Sequence, residues 1–265
     1  MVDNYFKSGF FVREVKNDDA EGTIFYIHGL GESGLCFEEL MTDTRINKWN
    51  HISLDIPGYG KSPREENPLS FKQMVSLFSK WIKKNIKEPV VLLGHSMGGV
   101  IGTILCEKHP GLIKAFINVE GNLSLQDCTF SWKAAEYTLP EFKEGGFENM
   151  CNIIYKAGIK ETSLRGYYAS LRMCDINAYY KNSLELVELS KKEQLAERLF
   201  KLKIPVSYIL GHPGGVGEYS RSLLSRAGIK YHVIEGAGHW PLTDQPDKFI
   251  ENISSFLNSV DTCRL

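Results

Sequence analysis

The chain has no surplus of charge of either sign: 31 Lys and Arg stand against 32 Asp and Glu, a formal net charge of −1. A protein that holds nucleic acid along a basic stripe needs a positive excess, so the balance argues against that class. No run of 18 or more apolar residues occurs, so no segment is predicted to span a membrane. The opening Met1-Val2-Asp3-Asn4-Tyr5 lacks the basic start and apolar core of a signal peptide, and a cytoplasmic protein is expected. Six cysteines, at positions 36, 106, 128, 151, 174 and 263, form no C-x-x-C pair and no zinc spacing with a histidine. With no secretion signal they are predicted to be reduced thiols. What remains is ordinary globular composition over 265 residues, with 43% hydrophobic and 24% charged, enough for one large α/β domain.

Short apolar runs bounded by turn residues recur along the chain. They are Thr23 to Ile27, Ile52 to Leu54, Pro89 to Leu93, Ile113 to Val119, Val206 to Leu210 and Tyr231 to Ile234. Runs without polar alternation suit strands buried on both faces, which is how parallel sheets read. Between them lie helical periods, such as Phe71, Met74, Val75, Phe78, Trp81 and Ile82 behind a capping Ser70, and Phe249 to Leu257 near the end. The alternation predicts a mostly parallel twisted sheet with helices on both faces. Tyr5 to Val15 could add one or two antiparallel edge strands. Between Leu123 and Leu202 no strand is evident, and about 80 residues exceed any ordinary loop. Residues 1–122 and 203–265 are therefore expected to form one core domain, with 123–202 a helical cap inserted in it.

Gly94-His95-Ser96-Met97-Gly98 is a G-x-S-x-G pattern between a predicted strand and a predicted helix. So sharp a turn strains the backbone at Ser96 and demands small residues two positions away, which Gly94 and Gly98 supply. The hydroxyl is then presented at the sheet edge, at the positive end of a helix, where a nucleophile is favoured.

With this pattern, and with His28-Gly29-Leu30-Gly31, Asp55-Ile56-Pro57-Gly58-Tyr59-Gly60-Lys61-Ser62 and Gly238-His239-Trp240 in the same order, the chain resembles the α/β-hydrolase superfamily from about Thr23 to Leu257. The likeness is to its capped, carboxylesterase-like serine hydrolases. It implies Ser96 as nucleophile and His239 as general base, and an oxyanion hole from the backbone N–H groups of Leu30 and Met97. His28 is expected to brace its loop, and His95 to point away from Ser96. His212 is the one rival base with a plausible location. Asp55 resembles a position that shapes a turn and takes no part in catalysis.

The acid departs from the usual pattern. Most members carry an Asp shortly after the next-to-last strand, but Gly214 stands there, and no Asp or Glu occurs from Phe200 to Gly217. Some relatives, certain haloalkane dehalogenases and epoxide hydrolases among them, carry the acid at the end of the strand after the nucleophile helix. Here that strand ends in Glu120. A carboxylate there is costly to bury unless something cationic pairs with it, and the His239 imidazolium is such a partner. Glu218 and Asp127 remain candidates.

The cap aromatics Phe130, Trp132, Tyr137, Tyr155, Tyr167, Tyr168, Tyr179 and Tyr180 either form the cap's own core or line a pocket; Arg165 and Arg172 could face inward to meet a carboxylate. The resemblance implies hydrolysis of a small or medium carboxylic ester through an acyl-enzyme, with no metal and no cofactor. A thioesterase, a C–C bond hydrolase or an aminopeptidase could use the same groups. A silent binding module is the reading from another class, kept open by the missing usual acid.

Overall fold

The computed structural model describes residues 1–262. Eight strands form one sheet: β1 (Asp3–Lys7), β2 (Phe10–Val15), β3 (Gly22–Ile27), β4 (Trp49–Leu54), β5 (Val90–His95), β6 (Ile113–Val119), β7 (Val206–Gly214) and β8 (Tyr231–Gly238). Their spatial order is β1-β2-β4-β3-β5-β6-β7-β8. β1 and β2 pair antiparallel at one edge, and β2 joins β4 antiparallel. Every pair from β4 to β8 is parallel. The central strands are buried on both faces, β5 along its whole length, which is the burial the unbroken apolar runs require.

The helices of six or more residues are α1 (Phe71–Asn85), α2 (Met97–Lys108), α3 (Thr129–Ala135), α4 (Phe147–Ala157), α5 (Thr162–Leu171), α6 (Ile176–Ser190), α7 (Leu195–Phe200), α8 (Glu218–Ala227) and α9 (Pro246–Thr262). In α1 the whole predicted stripe is buried, and a capping box of Ser70 and Gln73 starts the helix. Phe78 and Trp81 of that stripe each lie with ring centroids 5.9 Å from Phe25 of β3. Each such side chain contributes about 1.5–3 kcal/mol by leaving water, so the stripe holds α1 on the sheet.

Between β6 and β7 the regular elements are helical, α3 to α7 with shorter turns among them. The sequence reads Ser183 to Lys203 as one helix-prone stretch, but α6 ends at Ser190 and α7 starts at Leu195. Cys36, Cys106, Cys128, Cys151 and Cys174 are free thiols. Cys263, the sixth predicted thiol, lies outside the described residues. No helix among the described residues is long and apolar enough to cross a membrane.

Candidate active site

Ser96 sits between the end of β5 and the start of α2 with φ 53° and ψ −119°, a conformation a side chain adopts only under constraint. Its N–H donates to the Val119 carbonyl at 2.9 Å, which ties the bend to the end of β6. A Cβ on Gly94 would run into the Gly98 carbonyl, and one on Gly98 into the Ile27 carbonyl. Neither position can carry a side chain while β5 turns directly into α2. The first-turn N–H groups of a helix have no intrahelical acceptor, so Met97, which opens α2, presents its donor beside the half-buried Ser96.

Glu120 follows β6, is fully buried and also has a positive φ of 54°. Four non-glycine residues share that sign among the described residues, and two of them are Ser96 and Glu120, so backbone strain is concentrated where chemistry is expected. The Glu120 N–H donates to the Ile209 carbonyl of β7 at 2.9 Å. Its side chain then reaches across β7: Oε1 accepts the Gly211 N–H at 2.7 Å, and Oε2 lies 3.1 Å from Nδ1 of His239, just beyond β8. A glutamate is long enough for this span.

The space for it is made by glycine. A Cβ on Gly215, in the segment where the usual acid is absent, would strike Glu120 Oε1.

The carboxylate hydrogen-bonded to His239 is Glu120, not either of the other candidate acids. Glu218 is exposed in the first turn of α8. Asp127 faces the same cavity as Ser96, but its Oδ2 accepts the N–H groups of Leu123 and Ser124 and the Ser220 hydroxyl, and burial raises its pKa. It works as a local cap.

His28 is buried and braces its loop. Its Nδ1 meets the Gly29 carbonyl at 2.8 Å, and its Nε2 accepts the Ile56 N–H at 3.0 Å. Those contacts fix the neutral tautomer, and burial lowers its pKa. His51 is held by the Tyr26 hydroxyl and the Ile46 carbonyl. His212 lies within β7, and His232 is exposed on β8. Asp55 accepts the N–H groups of Gly34 and Lys61 and pairs with Arg13, so it shapes the turn.

Leu30, Ser96, Glu120 and His239 all line one cavity of about 780 Å³, within the usual size of a small-molecule site. Gly29, next to Leu30, packs so closely on Ser96 that a Cβ there would lie 3.1 Å from the Ser96 Cβ. The cap aromatics divide. Phe130 and Tyr167 line the cavity beside Trp240, with Tyr167 and Trp240 ring centroids 5.2 Å apart. Tyr137, Tyr179 and Tyr180 pack around Phe142 as the cap's own core. Trp132 is exposed. The inward-facing arginines are not found: Arg165 lies over the Tyr155 ring, and Arg172 pairs with Glu148 from α4. Spacing along one helix could not anticipate those partners.

One part of the site escaped the sequence reading. Glu32, in the loop after β3, is buried against His95, Trp240 and the Gly29 N–H. A carboxylate three residues beyond Gly29 was the available signal.

The α/β-hydrolase fold family matches residues 22–152. A Mycoplasma genitalium protein designated esterase/lipase 2 is 25% identical over 254 residues, covering 91% of this chain and 90% of its own. Among solved structures, the N-acyl homoserine lactonase AidH superposes with a TM-score of 0.76 at 19% identity, covering 98% of both chains. An esterase from Thermogutta terrifontis gives 0.76 at 14% identity, over 98% of this chain and 99% of that one. The strand order, the strained serine between β5 and α2 and these likenesses agree: the chain has the α/β-hydrolase fold, and residues 22–152 match that family.

Proposed function

We propose that this protein is a serine hydrolase that cleaves a small or medium carboxylic ester through an acyl-enzyme. Ser96 attacks the carbonyl carbon while His239 Nε2 takes its proton. The resulting imidazolium is held by Glu120, and the tetrahedral oxyanion by the N–H groups of Leu30 and Met97. His239 then returns the proton to the leaving alcohol, and water, deprotonated by the same ring, releases the acid. The observation that carries this reading is Glu120, buried with its carboxylate 3.1 Å from the His239 imidazole, in the cavity that Ser96 lines.

Residues 123–202 act as the cap that selects the acyl or alcohol group, with Phe130 and Tyr167 on its inner surface. The names of the similar proteins, an esterase/lipase and a lactonase, support an ester bond as the target. Free thiols fit a reducing, cytoplasmic setting.

The test is a panel of p-nitrophenyl esters of graded acyl length, set beside matched thioesters and aminoacyl arylamides. Oxygen esters should give the highest kcat/KM, with loss of turnover in Ser96→Ala. Faster cleavage of thioesters or arylamides would move the substrate class.

A further inference from the structure

Beside the Glu120–His239 pair lies a second carboxylate–imidazole pair. Glu32 and His95 are 3% and 0% exposed; Glu32 edges the cavity that Ser96 lines, and His95 is fully buried. Glu32 Oε2 lies 2.9 Å from His95 Nδ1 and accepts the Gly29 N–H at 2.6 Å. Glu32 Oε1 accepts the Trp240 indole N–H at 2.5 Å. On the far side of the ring, His95 Nε2 is 2.8 Å from the backbone carbonyl of His239. A carbonyl can only accept, so Nε2 carries a proton; Nδ1 faces a carboxylate, so it carries one too. His95 is an imidazolium locked between two acceptors.

Burial by itself would strip the charge from both members. It pushes the Glu32 carboxyl up, but His95, Trp240 and Gly29 outweigh it and hold Glu32 at about 2. Burial likewise pushes His95 down, and Glu32 outweighs it to raise the ring above its ordinary value. The groups facing His95 are Glu32 from the β3 loop, His239 and Trp240 from the β8 loop, and Glu120 at longer range.

Such a pair is a poor way to gain stability, because apolar side chains of equal volume often serve as well. What apolar atoms cannot do is hold N–H groups and a carbonyl in fixed directions. The segments tied here are the oxyanion loop at Gly29, the elbow through His95 one residue before Ser96, and the base loop at His239 and Trp240.

We propose that Glu32 and His95 form a positioning pair for the hydrolase reaction, setting the oxyanion loop, the nucleophile and the base in register. Both act through Leu30, Ser96 and His239. This rests on the serine-hydrolase reading above. Because the pair aligns groups that act on the transition state, its loss lowers kcat and leaves KM nearly unchanged.

The experiment compares wild type, Ser96→Ala and Glu32→Gln on p-nitrophenyl butyrate, with circular dichroism to establish folding. Wild type turns over and Ser96→Ala does not; an inactive wild type would instead overturn the underlying reading. Folded Glu32→Gln should lose 30- to 300-fold in kcat with KM within threefold. A kcat within threefold of wild type, or a loss confined to KM, overturns the pair's role. If Glu32→Gln does not fold, His95→Gln, which keeps a donor toward the His239 carbonyl, carries the same expectation. If that variant also fails to fold, the pair is structural and the proposal falls.

Discussion

Glu120→Gln isolates the charge behind the base from the shape that holds it. Glutamine has the same length, and its oxygen can still accept the Gly211 N–H that Glu120 takes at 2.7 Å. The amide nitrogen is then left facing His239 Nδ1, 3.1 Å away in the native pair. The imidazolium formed when Ser96 attacks loses a counter-ion about 4 Å from its centre, worth about 4 kcal/mol at an effective dielectric constant of about 20. That is about three powers of ten in rate. The amide also donates to Nδ1, which pushes the ring's proton onto Nε2, the nitrogen that must accept from Ser96, so the loss deepens toward about 10⁴-fold. Stopped-flow release of p-nitrophenol measures acylation directly. A loss of 10³- to 10⁴-fold in acylation, with KM within threefold, is expected. A folded variant within tenfold of wild type would refute the assignment of Glu120 as the third member.

The remaining expectations use other handles. Glu218→Gln should leave ester turnover within twofold, since that side chain is exposed on α8; a large loss would move the acid there. Gly215→Ala puts a methyl against Glu120 Oε1 and should lower kcat about 100-fold by displacing the carboxylate, read in the same acylation assay. Unchanged acylation would mean that Glu120 does not need that space.

Stability should fall on acidification through Glu32. Its folded pKa of about 2 lies below the ordinary 4.5, so its ionised form contributes stability above pH 4.5 that is lost as pH falls toward 2. A difference of that size is worth about 3 kcal/mol, more than half of it lost by pH 3. Urea midpoints measured from pH 6 to pH 3 should decline less steeply in Glu32→Gln than in wild type. Parallel declines would contradict the buried charge.

The sheet could be read from sequence because strands buried on both faces leave unbroken apolar runs, and all six such runs became β3 to β8. The edge strands β1 and β2 carried a weaker pattern, since β1 is mostly exposed. The elbow was legible because a strand-to-helix turn at a serine needs glycine two residues to either side. The placement of Glu120 beside His239 was legible by a chemical argument: a carboxylate ending an apolar strand needs a cation, and Gly214 stands at the usual acid position. What could not be read were relations between loops distant in sequence. Glu32 meets His95 across 63 residues and Trp240 across 208, and no periodicity records that. The role of Gly215 as space for a side chain on another strand is of the same kind. Whether a cap aromatic lines the cavity or the cap's core depends on helix packing, which separated Phe130 and Tyr167 from Tyr179 and Tyr180.

Ser96, activated by His239, is proposed to form a covalent bond with an acyl carbon. Brief incubation with a fluorophosphonate, followed by intact-protein and peptide mass spectrometry, tests it without knowledge of the natural substrate. A single adduct is expected, mapped to the peptide that carries Ser96, absent in Ser96→Ala and slowed at least 1,000-fold in His239→Ala. A folded wild-type protein that takes up no label, or takes it up on another residue, would contradict it.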